Sequence, residues 1–174
     1  MKTFKVLNKT TPSIFCILIL TALSLAIGCS KGDDVDTTKS CSNIDDRTIP
    51  RTINPIQIGK GELYGAGSEN IPKQNIVITN KSDWANLVNA INSNGNISNG
   101  FTEVEIDFTC FQIIAVFDDV KPNGGHSIDI IEVIENEGDI VVIIKNILTG
   151  DATQVITQPF HIVKIPRSSK PIVF

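Results

Sequence analysis

Five consecutive β-branched residues, Ile140-Val141-Val142-Ile143-Ile144, constrain this chain more than any other feature. Branching at Cβ suits a pleated strand, and an apolar run without interruption is expected where a strand is covered on both faces. The same chemistry recurs upstream. Residues 103–108 alternate strictly, with Val104, Ile106 and Phe108 on one side and Glu103, Glu105 and Asp107 on the other. That is the period of a half-buried strand. Residues 111–117 are apolar apart from Gln112, which suits a deeper strand. Further strands are expected at 53–58 (ended by Gly59 and Gly61), 75–79, 126–134, 160–165 and 172–174. Glu135-Asn136-Glu137-Gly138-Asp139 reads as a hairpin turn, with Gly138 free to take positive φ.

One segment has the helical period instead. Trp84, Leu87, Val88 and Ile91 fall at i, i+3, i+4 and i+7, with Ser82 placed to cap the start and Asn94-Gly95 to end it. Trp84 is expected to anchor this helix on a sheet. Short turns between strands favour antiparallel pairing. The expected class is α+β: a mainly antiparallel sheet of about 6–8 short strands, as a sandwich or partly closed barrel, with one covering helix near residues 82–92.

The N-terminus sets the compartment. Lys2, Lys5 and Lys9 precede an apolar run at residues 14–27, shorter than the roughly 20 residues a membrane-spanning helix needs. Leu25-Ala26-Ile27-Gly28-Cys29 resembles the bacterial lipobox, with Ala26 where leucine is commoner. The resemblance implies a lipoprotein signal peptide over 1–28 and a diacylglycerol on Cys29 that holds the chain in a membrane. Ser30-Lys31-Gly32-Asp33-Asp34 is similar to the acidic export signal of surface lipoproteins in one group of Gram-negative bacteria. It points to the outer membrane and the cell surface. Loss of the signal removes three lysines and no acid, leaving 12 Lys and Arg against 19 Asp and Glu, a net of −7. An acidic chain without a basic block is not built for nucleic acid.

Residues 29–52 are polar and read as a flexible tether, and 53–174 as the β-rich domain. With Cys16 in the signal and Cys29 acylated, Cys41 and Cys110 remain. In an oxidising compartment they are candidates for a disulfide closing a loop of about 70 residues. The other reading is a buried Cys110 thiol beside Phe108 and Phe111, with Cys41 loose in the tether.

Four stretches resemble the bacterial "protease complex subunit PrcB" family: Ile56-Gln57-Ile58-Gly59-Lys60-Gly61; Lys81-Ser82-Asp83-Trp84; residues 106–116 leading into Lys121-Pro122-Asn123-Gly124-Gly125-His126-Ser127-Ile128-Asp129-Ile130; and Gln158-Pro159-Phe160-His161-Ile162-Val163-Lys164-Ile165-Pro166. His126 stands where the family usually has an aromatic, often tyrosine. The resemblance implies an accessory role beside a surface protease and no catalytic residues. Gly124, Gly125 and His126 form the family-motif loop. The glycines are expected to supply positive φ or close backbone approach, or else to form an exposed ligand-contacting loop. Pro159 and Phe160 form the family-motif strand start.

Little else carries chemistry. His126, Ser127 and Asp129 are the residue types of a nucleophilic triad, but adjacent strand residues face opposite ways. His126 and His161 with Asp118 or Asp119 match no metal spacing, and Asp118, Asp119, Glu103 and Glu105 match no EF-hand. No phosphate loop, dinucleotide fingerprint or CxxC is present, so no metal or cofactor is implied and an enzyme is not expected. Two classes remain: a non-catalytic protein-interaction module with an envelope protein partner, such as a protease, or a binding module for a small molecule or glycan. One Trp and one Tyr are few for a sugar site and favour the first.

Overall fold

The apolar run at 111–117 lies in the middle of the domain. A computed structural model describes Cys41 and residues 48–174, all within the unit Lys39–Phe174. The expected signal peptide, Cys29 and the tether to residue 47, Cys41 apart, lie outside the described residues. Eight strands follow in chain order: β1 (Arg51–Ile53), β2 (Ile56–Leu63), β3 (Gln74–Ile78), β4 (Phe111–Phe117), β5 (Asp129–Glu135), β6 (Ile140–Lys145), β7 (Gln158–Pro166) and β8 (Ile172–Val173). The helix α1 (Lys81–Ile91) sits between β3 and β4. The strands form two four-stranded sheets, ordered β2-β7-β4-β3 and β1-β5-β6-β8. All pairings are antiparallel except β6 with β8. The class is α+β with two open sheets, so the sandwich alternative holds and the barrel does not.

Side-chain alternation explains the layering. On β4, Ile113, Ala115 and Phe117 join Trp84, Leu87 and Ile91 of the helix in one core. Ile114 and Val116 point the other way and join Val133, Ile140, Val142 and Val163 in a second. The β2-β7-β4-β3 sheet is thus sandwiched between the helix and the other sheet. β4 and β7 are the strands covered on both faces. The five-residue run in β6 has only one buried face, because its sheet is the outer layer: Ile140 and Val142 are buried while Val141 and Ile143 are half-buried.

Several boundaries differ from expectation for local reasons. The opening strand divides into β1 and β2 at Asn54-Pro55, and β1 takes in Arg51 and Thr52 of the expected tether. Arg51 is held there by Glu135, its register partner on β5, at 2.5 Å. Gly59 and Gly61 lie inside β2 rather than ending it. The helix cap is Asn80, not Ser82: its Oδ1 accepts from Asp83 N at 2.9 Å, worth about 1 kcal/mol. α1 stops at Ile91 and a 3-10 turn, Asn92–Asn94, carries the chain to Gly95 at φ 152°. Trp84 anchors the helix as expected, buried with its Nε1 donating to Val104 O at 2.7 Å.

Residues 103–108 form no strand despite their alternation. The Val104 carbonyl is taken by Trp84, Glu103 pairs with Lys164, and Glu105 pairs with Lys81. Asp107 closes a turn by accepting from Thr109 N and Cys110 N. The Val104 carbonyl is thus taken by a side chain and the Asp107 carbonyl by a turn, so neither is left to a ladder. Cys110, at the end of that turn, is bonded to Cys41, 69 positions away in sequence, with Cα atoms 5.0 Å apart. Of the two readings of these cysteines, the structure has the disulfide.

Candidate functional site

The family-motif loop owes its shape to a second loop. Residues 118–128 run beside 146–157, bridged at Lys121 with Thr157 and at His126 with Thr149. Main-chain bonds close the gap: Lys121 N to Thr157 O at 2.7 Å, Asp151 N to Gly124 O at 2.9 Å, Gly150 N to Gly125 O at 3.2 Å. Gly125 is at φ 75°, and a Cβ there would lie 2.6 Å from Asp151 Oδ2. Gly150, on the facing loop, is at φ 102°, and its Cβ would lie 2.5 Å from His126 Nε2. Each loop therefore carries a glycine where the other's side chain intrudes. Gly124 has neither positive φ nor a close approach, since a Cβ there would lie 3.4 Å from Thr153 Oγ1; its main chain bonds to Thr153 and Asp151. β5 begins only at Asp129, three residues later than expected, because His126 and Ser127 bond across this loop pair.

Glu62 on β2 fastens the loops to the sheet. Its Oε1 accepts from His126 N at 3.1 Å and from the buried Thr157 Oγ1 at 2.9 Å. Lys60, two residues earlier and on the same face, pairs with Asp129 of the other sheet. Ser127 Oγ donates to Asp129 Oδ2 at 2.5 Å and accepts from Leu148 N at 3.0 Å. Burial pushes the Asp129 carboxyl up, but hydrogen bonds from Lys60 and Ser127 outweigh it and hold it below the usual range. His161 on β7 lies opposite Lys60; its Nδ1 accepts from Ile130 N at 3.0 Å, so Nε2 carries the proton. Burial, with the nearby Lys60 charge, lowers its pKa to about 4.

These bonds assign Ser127, Asp129, Lys60 and His161 to joining the two sheets. Ser127 is turned to Asp129, and the His126 ring is turned to Asn123 Oδ1 at 3.0 Å, so the triad residue types do not converge. The acids weighed for calcium are each held by lysine: Asp118 by Lys73 and Lys121, Asp119 by Lys73. Burial raises the Asp118 carboxyl, but the hydrogen bonds from Lys121, the Asp119 main chain and Lys73 bring it down to about 2. No group of three or more potential metal ligands converges among the described residues.

What the loops and β2 enclose is a cleft. It has a volume of about 410 Å³, with Lys60, Glu62 and Tyr64 on one wall and His126, Ser127 and Leu148 on the other. A second concavity of about 180 Å³ shares Lys60, Gly61, Glu62 and Tyr64 and is walled by Ile97, Phe101 and Phe160. Phe160 lies beneath both, its ring centroid 6.2 Å from Phe101 and 6.2 Å from Phe117. Pro159 lies one residue inside β7, because Gln158 already pairs with Leu63; it opposes Glu62 and its carbonyl accepts from Asp118 N at 3.1 Å. Tyr64 and Leu148 are exposed on the rim, at 60% and 56%.

Gly125 and His126 thus reach the cleft wall and Phe160 its floor, while the disulfide belongs to the turn at Cys110. Lys60, Glu62, Tyr64 and Leu148 were not singled out from sequence. The available signal was Gly59-Lys60-Gly61: glycine inside a strand marks close approach, and a Cβ on Gly59 would sit 2.5 Å from the Phe101 ring.

Residues 112–166 match the family model described as PrcB C-terminal, so the resemblance seen in the motifs is borne out over β4 to β7. That stretch holds the Gly-Gly-His loop, its partner loop and the Pro-Phe strand. No curated protein and no solved structure matches the chain.

Proposed function

We propose that this chain, whose residues 112–166 match the PrcB C-terminal family model, is a non-catalytic protein-interaction module, an accessory subunit of a surface protease complex. The observation that carries the reading is the position of the matched loop. It forms one wall of an exposed cleft whose other wall is β2, and the exposed Tyr64 and Leu148 stand on the rim. An exposed tyrosine on a concave surface is the material of protein contacts.

A small ligand would need convergent polar groups with unused bonding capacity. Three of the polar side chains that line the cleft are committed within the protein: Lys60 to Asp129, Ser127 to Asp129 and Leu148 N, and Glu62 to His126 N and Thr157. The cleft is better suited to shape and main-chain recognition than to a sugar or metabolite. The sequence supplies the setting: an acylated Cys29 holding the module at the outer membrane on a short polar tether, facing the cell surface.

Chemical crosslinking on intact cells, then mass spectrometry of the purified chain, is expected to recover one reproducible envelope protein, a protease or a component bound to one. Recovery of this chain alone, with no reproducible neighbour, would contradict the reading.

A further inference from the structure

The β2 strand is the edge of its sheet, and its register shows which of its main-chain groups point away from the sheet. The Pro159 carbonyl bonds to Asp118 N on the β4 side, so the N–H and C=O of Phe160 face β2. Gly61, opposite Phe160, exchanges main-chain bonds with it. The N–H and C=O of Lys60 and Glu62 therefore point away from the sheet. Toward the start of β2 the edge is closed, because Thr102 N donates to Ile58 O at 2.9 Å and Thr102 Oγ1 to Gln57 O at 2.8 Å. It opens at Lys60, which is exposed together with Gly61 and Tyr64.

The two concavities lie along this same open stretch. Lys60, Gly61, Glu62 and Tyr64 line both, one walled by His126, Ser127 and Leu148 and the other by Ile97 and Phe101. An added strand sends alternate side chains to opposite faces, and such a strand needs a receptacle on each. Gly61 leaves space, since a Cβ there would meet only the Phe160 ring, at 3.7 Å. The other long edge, β3, borders none of these concavities.

We propose that an extended segment of a partner protein adds to the β2 edge beside Lys60, Gly61 and Glu62, as a fifth strand of this sheet. Its main chain bonds to Lys60 and Glu62, and its alternate side chains enter the two clefts. The occupant is a single extended segment rather than a second copy of this chain. The walls at Ile97–Phe101 and at His126 and Leu148 flank this stretch of edge, and a second copy paired edge to edge would bring its own copies of these walls against them. The inference rests on the interaction-module reading and names how the partner is held.

The test places a photo-reactive amino acid at Tyr64 or, for comparison, at Val77 on the β3 edge of the full chain in cells. Capture from Tyr64 of one partner, mapped to one contiguous segment, is the expected result. Gly61→Ile fills the space beside Phe160 and should lower that yield about tenfold or more, with Gly61→Ala giving a smaller loss of the same sign if the isoleucine variant folds poorly. Unchanged yield in a folded Gly61→Ile chain overturns the proposal. So does an adduct between two copies of this chain. Partner capture from Val77 and not from Tyr64 overturns the edge site while leaving the interaction module standing. Absence of a partner from every position removes both.

Discussion

Replacing Cys41 or Cys110 by alanine should lower the stability of the domain by about 4 kcal/mol, the expected entropy of closing a loop of this length. The bond joins residues 69 apart in sequence. The loop so closed contains β1, β2, β3 and α1, which means half of one sheet, one strand of the other and the covering helix. Without it the unfolded chain gains freedom, while the folded state loses only a contact at the Cys110 turn. The two single variants should therefore be nearly equal, and the double variant no worse than either. Urea unfolding of the oxidised full chain, the reduced chain and each variant measures this directly. A loss below about 1 kcal/mol in every case would mean that the bond constrains little.

The second large effect is with pH. His161 keeps a folded-state pKa of about 4, against about 6.5 when unfolded. Between these values the unfolded chain binds a proton that the folded chain refuses. Stability therefore falls as pH drops from about 6.5 to about 4 and then levels, by on the order of 3 kcal/mol. The structural cause is burial of the ring, with the Lys60 charge close by; Nδ1 also accepts from Ile130 N, a bond it cannot keep once protonated. Asp118, Asp129 and Glu135, all held below their usual range, lose their contribution at more acid pH. The upper part of the window thus belongs to His161. His161→Gln should flatten the unfolding midpoint between pH 6.5 and 4.5, and an unchanged slope would assign the effect elsewhere.

Much of the fold was legible in the sequence because its signals are local. The run of β4, apolar apart from Gln112, reads as a deeply buried strand, and its residues enter both cores. The helix period at Trp84, Leu87, Val88 and Ile91 places the covering helix with Trp84, Leu87 and Ile91 buried. Residues 103–108 misled because strict alternation reports only that one side is buried. Here Ile106 and Phe108 pack on the helix-side core from an irregular segment whose carbonyl is claimed by Trp84. In β6 the five-residue run overstates burial, since β-branched residues suit an outer face as well as an inner one.

The cleft was legible only in part, for a different reason. Its walls come from β2, the Ile97–Gly100 turn, the Gly-Gly-His loop and Leu148, and long-range pairing alone brings these together. Glu62 meets Thr157 across 95 positions, a contact no local pattern announces. The glycines were visible but ambiguous. Gly125 and Gly150 look like ordinary loop residues until each is seen to face the other loop's side chain.

Amide hydrogen exchange on the full chain, alone and bound to its captured partner, tests the docking claim most directly. Partner binding should slow exchange at Lys60 and Glu62, whose N–H groups point away from the sheet, and protect the loop at Gly125 to Ser127 that walls the cleft. Unchanged exchange at β2 and this loop, with protection appearing on another face, would contradict the account.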